Sequence, residues 1–139
     1  ETDSKLVERL HRLNALTAFL SCKYAALSMK KTGLGGRIVN IAAKPALAPT
    51  AGLLAYAMSK AAVVSLTQCL AEELRKEQIF VNAVVPSIMD TPVNRASMPS
   101  ADFDKWPKVE EVARAISFFV SQDNSLTTGA LVPVYGQSP

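Results

Sequence analysis

The run Ile79-Phe80-Val81-Asn82-Ala83-Val84-Val85 constrains this chain more than any other stretch. It is nearly all apolar and lacks the polar–apolar alternation of a strand with one wet face. Such a run suits a strand covered on both sides, as in a parallel sheet. Parallel neighbours must be joined by long crossovers, usually helical, and the flanking sequence supplies them. From Lys5 to Lys31, the residues Leu6, Leu10, Leu13, Leu20 and Leu27 recur at helical spacing. A second set, Ala15, Ala18, Phe19, Cys22, Ala26 and Met29, widens that stripe. This helix is therefore expected to be buried from more than one side. Thr32 to Gly36 breaks it, with Lys30 and Lys31 placed to complement its C-terminus.

Arg37 to Ala42 reads as a short buried strand, and Pro45 and Pro49 mark an irregular loop after it. A second long helix, rich in small residues, runs from Leu54 to Gln78. Pro86 ends the strand that follows, and Ser87 to Pro107 reads as a loop of active-site size with room for a short helix. Val109 to Ser121 is a third helix with Glu110 and Glu111 in its first turn. Ala130 to Val134 is a last short strand, whose Pro133 suits a sheet edge. The order helix, strand, helix, strand, helix, strand is that of a parallel α/β sheet, with no internal repeat. Three strands leave one edge open, so further strands are expected in front of these.

Composition narrows the function. The chain has 139 residues, 49% of them apolar and 19% charged, which fits one compact domain with a real core. Its net charge of +3 is spread out, with Lys30-Lys31 and Arg75-Lys76 the only basic doublets, so no nucleic-acid partner is expected. No apolar run reaches the ~18–20 residues of a membrane span, so no membrane partner is expected either. The start, Glu1-Thr2-Asp3-Ser4-Lys5, is neither a signal peptide nor an initiator methionine, which fits a processed or truncated chain. Cys22 and Cys69 have no Cys-x-x-Cys spacing and His11 is the only histidine, too few ligands for a zinc site. Both cysteines are expected reduced, packed as small apolar side chains in a cytoplasmic setting.

Tyr56-Ala57-Met58-Ser59-Lys60 stacks a phenol and an ammonium at i and i+4 on one helix face. A nearby cation favours the ionised phenol and lowers a pKa that is near ~10 in isolation. Such a tyrosine can give a proton to a carbonyl or imine and take it back in reverse. The same spacing also occurs as a plain solvated pair. Here, however, it opens a helix directly after a strand and a loop, at the carboxyl end of the sheet, where open α/β folds bind ligands.

With that placement, the order of signals resembles the short-chain dehydrogenase/reductase family over essentially all 139 residues. Gly36-Arg37-Ile38-Val39-Asn40-Ile41 looks like the family's fifth strand, and Val81-Asn82-Ala83-Val84-Val85-Pro86 like its sixth. Glu111-Val112-Ala113 to Thr128-Gly129 resembles its last helix and the turn before strand seven. Tyr56 and Lys60 match its catalytic pair, Thr91-Pro92 its nicotinamide-binding threonine, and Asn14 its asparagine that links the lysine to a water chain. The resemblance implies the C-terminal part of a doubly wound parallel Rossmann fold, strands five to seven, with the N-terminal strands missing. It implies hydride transfer with NAD(H) or NADP(H), Tyr56 as proton donor, and Lys60 holding the nicotinamide ribose and lowering the Tyr56 pKa. Ile41 and Ala42 would line the nicotinamide, while Pro86, Ile88 and Thr91 would set its orientation. Ala43, Met89 and Trp106 would face substrate.

Three positions depart from the family. Ala43 stands thirteen residues before Tyr56, where the family keeps a serine; Ser87 replaces a glycine; and Val134-Tyr135-Gly136 replaces Val-Asp-Gly-Gly. One branch, the quinonoid dihydropteridine reductases, has an alanine at the Ala43 position. It also resembles the loop from Asp90 to Phe103 and its Trp106. A flat pterin needs less orienting than a carbinol, and Trp106 would cover it as a stacking lid; packing of that indole against the core is the alternative. For Asn94 and Arg95 the plainer reading, a helix cap and a surface charge, is favoured. The first expectation is therefore a dihydropterin reductase, with a general carbonyl or alcohol oxidoreductase and an inactive scaffold as alternatives. The resemblance further implies a homodimer or homotetramer built on the two long helices. It treats residues 1–139 as a partial domain without its phosphate-binding half, because Gly33-Leu34-Gly35-Gly36 follows a helix and precedes a strand, the reverse of a phosphate loop.

Overall fold

The computed structural model describes residues 2–137. It opens with α1 (Ser4–Leu10), a π-helical turn (His11–Leu16) and α2 (Thr17–Thr32). Next come β1 (Gly36–Ile41), α3 (Leu54–Glu73), β2 (Ile79–Pro86), α4 (Pro92–Ser97), α5 (Val109–Val120) and β3 (Leu131–Val134). The three strands form one parallel sheet in the order β1-β2-β3, with Gly36 opposite Ile79 and Ala83 opposite Leu131. The α/β alternation read from the pattern is the observed one.

Why these boundaries? Asp3 caps α1 by accepting from the Lys5 amide at 3.0 Å. Gly33 ends α2 in a left-handed conformation, φ 68°, just past Lys30 and Lys31. At Gly36 a Cβ would meet Met29 Sδ at 2.2 Å, so any larger residue there would have to displace the flexible Met29 side chain. The helix expected to reach Gln78 stops at Glu73. Buried Leu74 leads into a 3₁₀ turn, Arg75–Glu77, and Gln78 adopts φ 56°. Glu111 returns its carboxylate to the Lys108 amide at 2.8 Å and fixes the start of α5. Pro133 is exposed on β3, which pairs with β2 alone, as its proline suggested.

β2 is the buried centre. Val81, Ala83, Val84 and Val85 are fully covered, each valine stabilising the fold by about 1.5–2 kcal/mol through burial. On one face Val81 and Ile79 meet Cys22, Ala26, Ile38, Ala71 and Leu74 from α2, β1 and the α3 end. On the other, Val84 meets Val112 and Phe119 of α5. A buried polar chain crosses the first face: the Cys22 thiol donates to Asn40 Oδ1, and Asn40 Nδ2 donates to Thr67 Oγ1 at 2.9 Å. Burial pushes the Cys22 thiol pKa up, so this cysteine is an inert core residue. Cys69, expected to be packed, is exposed.

Two other expectations change. Over residues 4–32 burial is carried by Ala15 of the π turn and by Cys22 and Ala26 of α2, while Leu6, Leu13, Leu20 and Leu27 remain exposed. And α3 is, by length and composition, long and apolar enough to cross a membrane. Small residues dilute any obvious apolar run, which is why the sequence reading passed over it. Its Ala55, Ser59, Val63, Thr67 and Ala71 face is nevertheless buried, and Ser59 and Thr67 satisfy their hydroxyls inside the protein. That face belongs to the core.

Candidate active site

The carboxyl ends of β1 and β2 lie side by side, with the Ala42 amide donating to the Val84 carbonyl at 2.9 Å. The chain then leaves β1 through a 3₁₀ turn, Lys44–Ala46, and returns as the first turns of α3. This route brings Tyr56 and Lys60 back over the strand end. Lys60 Nζ donates to the Ile41 carbonyl at 2.9 Å, tying the helix to the last residue of β1. Asn14, in the middle of the π turn, donates from Nδ2 to Ser59 Oγ at 2.9 Å. Ser59 in turn donates to the Tyr56 carbonyl at 2.8 Å. Asn14, from a distant segment, is thus joined through Ser59 to the turn of α3 that carries Tyr56 and Lys60.

Burial sets the titration of the pair. It pushes the Tyr56 phenol above its ordinary value and the Lys60 ammonium below its own. The resemblance implied a lowered Tyr56; here the ammonium is engaged by a carbonyl and desolvation decides the direction. A neutral phenol at neutral pH is a proton donor.

The other expected residues divide. Ile41 and Ile88 present apolar surface beyond the strand ends, 39% and 43% exposed. Ala42 packs into the core with Ala83 and Val85, and Pro86 is buried. Thr91 caps α4: its Oγ1 accepts from the Asn94 amide at 3.2 Å, which leaves the hydroxyl proton to donate. Asn94 Nδ2 donates to the Met89 carbonyl at 2.8 Å, and Met89 leans on the α5 core. Ala43 is buried and brings no hydroxyl to the strand end. Trp106 is only 7% exposed and packs on Phe103, ring centroids 5.0 Å apart. The indole is therefore loop core rather than an open lid.

Sequence reasoning missed what holds that loop. Asp90 accepts from Arg95 Nη2 at 2.8 Å and from Lys108 Nζ at 2.7 Å, while Arg95 lies over the Phe103 ring. The hydrogen bond from Arg95, and then that from Lys108, hold the Asp90 carboxyl far below the usual carboxylate range. A depressed folded pKa stabilises above the unfolded value, near ~3.9, and that stabilisation is lost as pH falls below it. The Asp90→Asn protein is expected to melt below the parent at pH ~7, with the gap narrowing progressively below pH ~4 and still open at pH ~3. A gap that persists unchanged in acid would show that these pairs do not hold the loop.

A protein family described as Enoyl-(Acyl carrier protein) reductase matches residues 1–136. L-xylulose reductase of Caenorhabditis elegans is 32% identical over 140 residues, which cover 94% of this chain and 56% of that protein. The solved short-chain type dehydrogenase/reductase from Mycobacterium ulcerans superposes with a TM-score of 0.90 at 30% identity, over 97% of this chain and 52% of that one. The structure titled ElxO with NADP bound superposes with a TM-score of 0.88 at 27% identity, over 98% of this chain and 59% of that one. The chain spans about half the length of the curated relatives it matches.

Proposed function

Because the chain belongs to the short-chain dehydrogenase/reductase family, we propose that it is the catalytic part of a nicotinamide-dependent oxidoreductase acting on a carbonyl or imine. The observation that carries this reading is the tie of Lys60 to the end of β1 and of Asn14, through Ser59, to the turn of α3 that bears Tyr56. The residues present fit the nicotinamide end of a dinucleotide. Lys60 keeps two of its three donors for ribose hydroxyls after bonding Ile41. Thr91 retains a proton for the carboxamide, and Ile41 and Ile88 offer apolar faces to a flat ring. When bound in reduced form, the nicotinamide supplies hydride. Tyr56 then donates its phenolic proton to the substrate oxygen or nitrogen, and Lys60 stabilises the phenolate left behind. No glycine-rich phosphate loop of the required strand–loop–helix order occurs in the 139 residues. We place the phosphate contacts, and the choice between NAD(H) and NADP(H), on residues outside them, as for the C-terminal part of a Rossmann fold.

Two substrate classes follow. A general carbonyl compound agrees with what the relatives' names say of them. A dihydropterin is favoured by the loop sequence Asp90 to Phe103 and by Ala43, where no hydroxyl stands to orient a carbinol. In that case Trp106 must leave its packed position to cover the ring. The whole protein should be mixed with NADH or NADPH and either quinonoid dihydropterin or a panel of simple ketones. Cofactor oxidation with pterin alone supports the pterin reading, and oxidation with ketones the general one. No oxidation with any pair would leave the inactive scaffold. We further propose a homodimer or homotetramer through the long helices. Leu13, Leu20 and Leu27 lie 60%, 40% and 54% exposed along one outer stripe. Leu20→Glu should therefore shift the sedimenting species to monomer, and an unchanged coefficient would put the contact elsewhere.

A further inference from the structure

The π turn and the start of α3 meet at one side chain that the family resemblance does not single out. Ser59 is 1% exposed, lies one turn from Tyr56 and directly precedes Lys60. On a helix, positions 56, 59 and 60 fall within about 100° of arc, so turning Ser59 turns the pair. Its hydroxyl has one proton, given to the Tyr56 carbonyl, and accepts from the Asn14 amide. Elsewhere on the buried face of α3, Ala55 and Ala71 allow close approach with no polar group at all. The turn is braced from its outer side as well: Thr17 Oγ1 donates to the Leu13 carbonyl and, at 3.3 Å, to that of Asn14. Asn14 is thereby presented to α3 on a fixed backbone.

We propose that Ser59 is a positioning residue, whose hydroxyl sets the rotation of α3 against the π turn and so aims Tyr56 and Lys60. The inference rests on the proposed role of that pair. Ser59→Ala removes the acceptor that Ser59 offers the Asn14 side-chain amide and leaves α3 free to roll. Rolling exposes the Tyr56 phenol, whose pKa burial now raises. It also draws Lys60 from the Ile41 carbonyl.

The test is carried out on the whole protein labelled with ¹³Cζ-tyrosine, in which Tyr56→Phe assigns the Tyr56 signal. In Ser59→Ala the Tyr56 titration is expected to fall by about half a pH unit or more towards its ordinary value. Turnover should drop about tenfold with the cofactor KM changed less than about twofold. Ser59→Cys, similar in volume but a poor acceptor, should lie between; it decides the question if the alanine variant does not fold. An unmoved Tyr56 titration overturns the proposal, and a lower melting temperature with unmoved titration assigns Ser59 to packing. A parent protein without turnover would instead overturn the oxidoreductase reading, and the titration would still decide the role of Ser59.

Discussion

Tyr56→Phe is expected to lower kcat about 10³-fold, within the range that a general acid contributes, while cofactor affinity stays within about twofold. The ring keeps its half-buried packing and only the proton is lost. Lys60, which is tied to the Ile41 carbonyl rather than to the phenol, keeps its position for the ribose. The direction of titration adds a second expectation. Because burial raises the phenol pKa, Tyr56 stays protonated through neutral pH, so reduction should be flat there and fall only above the ordinary tyrosine range. The reverse oxidation, which needs phenolate, should rise with pH over the same span. Steady-state kinetics in both directions check this, and a variant within tenfold of the parent would remove Tyr56 from the mechanism.

The largest loss of stability is expected from Asn82→Ala, about 2–3 kcal/mol. Asn82 is fully buried in β2 and both ends of its amide are occupied. Nδ2 donates to the Thr127 carbonyl at 2.9 Å, and Oδ1 accepts from the Ala130 amide at 3.0 Å. Beside it the Val81 amide donates to Thr128 Oγ1, and the Gly129 amide to the Val81 carbonyl. One side chain thus fastens the turn that delivers β3 to the sheet. Its removal strands the Ala130 amide, whereas the Thr127 carbonyl keeps its bond from Asn124 Nδ2 at 3.1 Å, and that lost partner, rather than lost area, sets the size of the effect. Urea unfolding measures it. A loss below about 1 kcal/mol would mean that water or a shifted turn replaces the amide.

The strands and long helices were legible because apolar period and breakers agree at each of them. Gly33, Pro86 and Glu111 act in the structure as their positions suggested. The π turn was not legible: His11 to Leu16 contains no proline or glycine, and widening a helix by one residue leaves its apolar spacing almost intact. The end of α3 was overrun because Arg75, Lys76 and Glu77 are good helix formers, whereas burial of Leu74 decides the stop. Tyr56 and Lys60 could be found from i,i+4 spacing alone. Ser59 could not, since a helical serine usually bonds its own backbone, and its link to Asn14 joins distant segments. The sequence leaves the role of Trp106 open between lid and packing for a related reason. An aromatic in a long loop is equally suited to cover a ligand or to anchor the loop, and the anchoring ring, Phe103, shows its hand only in three dimensions.

The pairing of β1 with β2 and of β2 with β3, all parallel, has a kinetic consequence. Every strand contact joins segments more than forty residues apart, so no hairpin is available to seed the sheet. Such topologies fold slowly, because loop closure is costly before any pairing rewards it. Tyr56 and Lys60 can form early on their helix. Their bonds to Ile41 and Asn14, however, arise only when β1, α3 and the π turn dock. The site is therefore assembled in the last cooperative step of folding. During refolding, recovery of the Lys60–Ile41 geometry should lag behind helical signal and coincide with burial of β2.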